Sequence, residues 1–257
     1  MKITICGKGG SGKSSVAALL AREYVRRNRA VLVVDTDESN LGLHRLLGTD
    51  APPDLMGYFG GKGEVMKRVM AAMPDPSSVN LAEETWTIDG LPGDYVTQKS
   101  GVRFVAIGKI HEAGEGCACP MGMLARQFLD RLDLGEDDVV IADTEAGIEH
   151  FGRGVDQGAD MIVMIVDPSF ESLRLAEKVD DMAAHLDVPL YYVLNKINLF
   201  SAVRLREGLP DPSRIACEIP QDPTILGAGL DGRALDQSHA AITTLADVLD
   251  TARRERV

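Results

Sequence analysis

The 257-residue sequence has no apolar stretch able to cross a bilayer: its longest runs, such as Met161 to Val166, fall far short of the roughly 20 residues a spanning helix needs. Blocks of like charge are missing too, which excludes a basic arm or an acidic tail. There is no internal repeat and no low-complexity linker, so nothing argues for a second domain, and residues 1–257 read as one. Cysteine is scarce, with four in the chain. Two of them, Cys117 and Cys119, are badly spaced for a mutual disulfide, which favours thiol or metal chemistry in a reducing compartment. The chain enters an apolar strand directly after Met1 and Lys2, and the expectation is a cytoplasmic protein.

What is present is 45% hydrophobic residues, enough for one substantial core. The 27 Lys and Arg against 39 Asp and Glu leave a net charge of −12. Such a surface repels phosphate backbones, so no nucleic-acid partner is expected. Without a basic amphipathic tail, no membrane partner is expected either.

Apolar, β-branched runs recur at Ile3 to Cys6, Ala30 to Val34, Val102 to Ile107, Val139 to Ala142, Met161 to Val166, Leu190 to Leu194 and Ile215 to Ile219. They read as fully buried strands of a mostly parallel sheet. Between them lie helical patterns at Lys13 to Arg27, Met121 to Leu132, Ser169 to His185 and about Asp236 to Arg253. This alternation predicts an α/β, doubly wound fold whose ligand sits at the carboxyl ends of the strands. Residues 48–100 lack clear periodicity and read as a surface insertion with a helix near Gly63 to Met73.

The first strand runs into Gly7-Lys8-Gly9-Gly10-Ser11-Gly12-Lys13-Ser14-Ser15 and then into an amphipathic helix, the strand–loop–helix setting that a phosphate-binding P-loop requires. Glycines let backbone N–H groups turn inward around phosphate oxygens, and the helix N-terminus adds partial positive charge behind them. Lys13 is placed to reach the β- and γ-phosphates of ATP, and the Ser14 hydroxyl to ligate Mg²⁺.

With a second lysine, Lys8, inside the loop, Lys-Gly-Gly-x-Gly-Lys-Ser resembles the deviant Walker A of the dimeric ATPases that include the partitioning, septum-positioning and nitrogenase-iron-protein families. The resemblance implies a homodimer in which Lys8 crosses to the partner's nucleotide, supplying a cation to the transition state. It implies that Asp37 positions the attacking water, with Asp35 supporting the metal shell. Asp143, opening Asp-Thr-Glu-Ala-Gly, would hold a Mg²⁺-bound water, and the Gly147 N–H would sense the γ-phosphate. Asn195 and Lys196, in Asn-Lys-Ile-Asn, and Pro220 and Asp222, in Pro-Gln-Asp-Pro, are candidates for the base pocket. Asn198 stands where an aspartate would read guanine, which argues for adenine.

Gly116-Cys117-Ala118-Cys119-Pro120 precedes a helix, with Pro120 suited to its first turn. The helix dipole favours a thiolate there, so Cys119 is expected to ionise more readily than a free cysteine. One loop offers two soft ligands where a closed tetrahedral site needs four, and a twofold dimer would supply the other two. His111, Met121 and Met123 lie nearby but read as packing or surface, and Cys6 and Cys217 as buried small hydrophobes.

The deviant Walker A together with Glu-Gly-Cys-x-Cys-Pro resembles the carbon monoxide dehydrogenase accessory ATPases, over nearly the whole chain. That resemblance implies Ni²⁺ or Zn²⁺ held by Cys117 and Cys119 between two subunits, and a client carbon monoxide dehydrogenase into which nickel is inserted. Two cysteines from each of two chains are equally able to hold a [4Fe-4S] cluster, so an ATP-dependent electron carrier or cluster scaffold is the alternative.

Overall fold

The computed structural model describes residues 1–72, 79–81, 84–111 and 119–256. The strands are β1 (Lys2–Gly7), β2 (Ala30–Asp35), β3 (Thr97–Lys99), β4 (Val102–Ala106), β5 (Asp138–Asp143), β6 (Met161–Val166), β7 (Leu190–Ile197) and β8 (Ile215–Pro220). The helices are α1 (Lys13–Arg26), α2 (Leu43–Leu46), α3 (Lys62–Ala71), α4 (Cys119–Asp130), α5 (Glu149–Gly152), α6 (Phe170–Leu186), α7 (Leu199–Gly208), α8 (Pro223–Asp231) and α9 (Ala240–Arg256). Among the described residues none of them is long and apolar enough to cross a membrane.

The strands form one sheet in the order β3-β4-β2-β5-β1-β6-β7-β8. Every pair is parallel except β3 with β4. Alternation along the strands divides the core between the two faces. Val31 and Val33 of β2, and Met161, Val163 and Ile165 of β6, pack with α1 and α9. Leu32 and Val34 face α4 on the other side, while Ile162, Met164 and Val166 face α6 and α7. Both faces being covered is why these strands read as continuous apolar runs. The chain leaves β1 toward β2 on one side, and the later connection from β5 passes to β6 on the other, so a crevice opens at the carboxyl end of β1.

Residues 48–100 correct an expectation. Their described part is not a surface appendage: Leu55, Met56, Phe59, Val65, Trp86, Ile88 and Leu91 are buried in the core beside α4. The Met56 N–H donates to the Ile107 carbonyl at 2.9 Å, and Trp86 lies 5.6 Å from Phe128, centroid to centroid. Short 3₁₀ turns and aromatic contacts carry this packing, and neither leaves a period in the sequence. The helix foreseen in this segment is α3.

Candidate functional site: a phosphate cradle at the end of β1

Two glycines shape the loop after β1. Gly7 has φ +142°, and a Cβ there would lie 2.5 Å from the Ile165 carbonyl oxygen of β6. Gly12, the residue before α1, has φ +102°, and its Cβ would lie 2.3 Å from Asn195 Nδ2. Side chains are excluded at both positions by conformation and by space. No side chain caps α1, which leaves its first N–H groups available to an anion. Lys13 is 7% exposed and donates to the Gly7 and Lys8 carbonyls, each at 3.3 Å.

The next residue meets the end of β5. Ser14 Oγ donates to Asp143 Oδ2 at 2.6 Å, and Asn40 Nδ2 donates to both, at 2.9 Å and 3.1 Å. Asp143 is fully buried, its Oδ1 has no hydrogen-bond partner, and burial pushes its carboxyl up to about 6 against the pull of Ser14 and Lys13. A hydroxyl and an orphaned carboxylate oxygen beside a lysine and an uncapped helix start fit Mg²⁺ with a nucleotide phosphate. The cation would repay the burial of Asp143 by holding it ionised.

Asp35 and Asp37, at and just after the end of β2, are both tied to neighbouring groups. Asp35 lies beside Asp143 in the sheet: its Oδ2 takes the Lys109 ammonium at 2.6 Å, and its Oδ1 accepts the Asp37 N–H at 3.1 Å. Burial pushes its carboxyl up, with Lys109 opposing and Asp143 and Asp37 adding to the rise. Lys109 also donates to the Asp37 carbonyl at 2.5 Å. The Asp37 carboxylate accepts from the Ser39 N–H at 2.9 Å and Ser39 Oγ at 2.6 Å, a turn that keeps it on the loop. The Gly147 N–H donates to the Gly7 carbonyl at 3.3 Å, joining the segment after β5 to the P-loop. Lys8 is paired with Asp167 of the same chain at 3.1 Å.

A cavity of about 540 Å³ adjoins the cradle, lined by Gly12, Ser15, Asn195, Pro220, Asp222 and Leu226 among others. All the base-pocket candidates therefore converge. Asn195 Nδ2, however, donates to the Ser11 carbonyl at 2.7 Å, and Lys196 Nζ to that of Gly10 at 2.7 Å, so both brace the P-loop. The Asn198 side chain caps α7 in a reciprocal box with Ser201, and Asp222 caps α8 through the N–H groups of Thr224 and Ile225.

Cys119 opens α4, and since β4 runs parallel to β1, it stands on the same carboxyl edge of the sheet as the cradle. Its sulfur is disulfide-bonded, so the ionised thiol expected there is not what this structure holds. Cys117 lies outside the described residues. Cys6 and Cys217 are free and buried as expected, and burial pushes both thiols up. Met121 is buried and Met123 packs against the same core. His111 Nε2 meets Asp54 Oδ2 at 2.7 Å. Among the described residues no group of three or more His, Cys, Asp or Glu is placed to hold a metal.

Sequence reasoning did not single out Asn40, Lys109 or Arg153, nor the buried pair of His150 and Asp156. In that pair His150 Nε2 stands 3.7 Å from Asp156 Oδ2, too far for a hydrogen bond. Burial pushes Asp156 up to about 7 and His150 down to about 3, in each case favouring the neutral form. An unfolded Asp ionises near 3.8. Between there and about pH 7 the folded state holds the extra proton, so the Asp156 contribution falls as pH rises. The His150 contribution runs the other way, because the unfolded ring takes up a proton below its ordinary value of 6.5. Comparing Asp156→Asn with wild type isolates the carboxylate. The variant is expected to melt several degrees higher at pH 8, at about 2–4 °C per kcal/mol, and to differ little at pH 4. Equal shifts at the two pH values in thermal melts count against this.

Comparison with known proteins accords with this geometry. An uncharacterised ATP-binding protein of Methanocaldococcus jannaschii is 45% identical over 249 residues, covering 97% of this chain and 99% of that one. The carbon monoxide dehydrogenase accessory protein CooC of Rhodospirillum rubrum is 29% identical over 272 residues, covering 100% of this chain and 97% of that one. The septum site-determining protein MinD of Pyrococcus horikoshii, solved with Mg-ADP, superposes with a TM-score of 0.69 at 18% identity, covering 100% and 98% of the two chains, which shows the fold. Residues 2–234 match the CobQ/CobB/MinD/ParA nucleotide binding domain, and the chain belongs to that family of P-loop nucleotide-binding proteins.

Proposed function

We propose that this protein is a homodimeric, Mg-dependent ATPase that carries Ni²⁺ or Zn²⁺ between paired Cys117 and Cys119 side chains and assists nickel insertion into a carbon monoxide dehydrogenase. The observation that supports the reading is that the phosphate cradle and Cys119 share one edge of the sheet. An uncapped helix start with Lys13, Ser14 and Asp143 lies at the end of β1, and a helix headed by Cys119 follows β4. The likeness to CooC supports the client.

In the hydrolytic step ATP and water give ADP and phosphate. The α1 N–H groups and Lys13 would bind the phosphates, Ser14 and Asp143 would hold Mg²⁺, and Asp37 would orient the water once its carboxylate leaves Ser39. Lys8 leaves Asp167 to reach the partner's phosphates. Two thiols from each chain complete a tetrahedral set for the cargo ion, and since thiolates are the ligands, the Cys119 disulfide must first be reduced. A nucleotide moves the cargo only by favouring one arrangement of the dimer over the other.

Sedimentation and metal analysis of the reduced protein test this. Wild type is expected to bind one divalent ion per two chains, and Cys117→Ala or Cys119→Ala to lose it. Variants that dimerise with the parent's metal content overturn the shared site. A brown protein with broad visible absorption and stoichiometric iron transfers the same cysteines to the cluster-scaffold alternative.

A further inference from the structure

The helix that begins at Cys119 is joined to the nucleotide side of the molecule by one side chain. Arg153, just past α5, lies so close to Gly122 in the first turn of α4 that a Cβ there would sit 2.4 Å from Arg153 Cδ. The guanidinium extends to Glu145 at 2.8 Å and to Glu38 at 3.6 Å. Glu145 is two residues beyond Asp143, and Glu38 directly follows Asp37. One arginine therefore spans the segment after β2, the segment after β5 and the start of α4.

Glu38 has a second tie. Its carbonyl accepts the Ile110 N–H at 3.1 Å, and the neighbouring Lys109 donates to the Asp37 carbonyl at 2.5 Å. The backbone leaving β4 and the helix headed by Cys119 thus both converge on residues 37–38. Two partly buried carboxylates share a single guanidinium, and burial together with Glu38 pushes Glu145 up to about 7 against Arg153. When either carboxylate moves, the arginine is drawn toward the other. With no side chain at Gly122 to yield, the arginine stem either carries α4 with it or leaves it.

We propose that Arg153 is the coupling arm between the nucleotide and Cys119: displacement of Glu38 or Glu145 at the phosphate end passes through its guanidinium and stem to α4 and alters the hold on metal there. This rests on the metal-carrying ATPase reading. Arg153 belongs to neither proposed set of binding groups and acts as a positioning residue.

The test is Zn²⁺ affinity of the full-length reduced dimer, by chelator competition, with Mg-ADP and with a non-hydrolysable Mg-ATP analogue. Wild type is expected to differ by about fivefold or more between the two nucleotides. In Arg153→Ala that ratio collapses while Zn²⁺ and analogue still bind, which also reports that the variant folds. Arg153→Lys, which keeps the charge but not the fork, restores part of it. Glu38→Gln removes one carboxylate charge without changing shape and is expected to weaken the ratio as well. If wild type shows the ratio and Arg153→Ala and Glu38→Gln retain it, the arm is overturned and the ATPase reading stands. If wild type shows no ratio, the nucleotide-coupled reading itself fails and the arm with it.

Discussion

Lys13→Gln is expected to lower kcat/KM for ATP by about 10³-fold or more. Lys13 is almost fully buried, and its ammonium rests on the Gly7 and Lys8 carbonyls, at the lip of the loop that would receive the β- and γ-phosphates. A buried cation acts in a medium where charge is weakly screened, so its effect on developing phosphoryl charge is large. Glutamine keeps the length nearly and keeps donors for the two carbonyls, so the loop survives and the charge alone is removed. Phosphate release and equilibrium binding of Mg-ATP measure the result. A variant within tenfold of wild type in kcat/KM would show that the cradle does not work as a P-loop.

Lys8→Ala is expected to leave Mg-ATP binding nearly intact and to lower hydrolysis by about 10³-fold, the low end of what a cation delivered in trans contributes. Within its own chain Lys8 is occupied by Asp167. Against the burial that would raise it, hydrogen bonds from Ser172 and Ser169 and the Lys8 ion pair hold Asp167 below its ordinary value. Reaching a partner therefore means exchanging one anion for another, and a triphosphate carries the greater charge. Mixing the Lys8→Ala and Lys13→Gln variants separates the trans role from a cis one. A mixed dimer has one competent site, Lys13 from the first chain and Lys8 from the second, so roughly a quarter of wild-type activity returns at equal mixing if assembly is random. No recovery on mixing places the action of Lys8 within its own chain.

Much of the fold was readable because its signals are local. Fully apolar strands bounded by helical patterns require both faces of a sheet to be covered, and Met161 to Val166 appears as a strand with the same bounds. The P-loop was readable for a similar reason: its glycines, Lys13 and Ser14 lie within eight positions, and the φ values at Gly7 and Gly12 are demands of the backbone itself. The caps at Asn198 and Asp222 are equally local, each a side chain closing the start of the helix that follows it.

The sequence by itself determined the class of fold, the phosphate cradle and the presence of a cysteine pair ahead of a helix. These depend on spacing along the chain and on residue chemistry. Only the tertiary structure decided what stands behind them. Lys109 reaches Asp35 because β4 is laid beside β2 in the sheet order. Asn40 reaches Ser14 and Asp143, and Arg153 reaches Glu38, across 26, 103 and 115 positions of sequence. The described part of residues 48–100 enters the core through aromatic edges and short turns that keep no period. Contacts between segments far apart in the chain are settled by the order in which strands pair, and a pattern read along one segment carries no record of its neighbours in space.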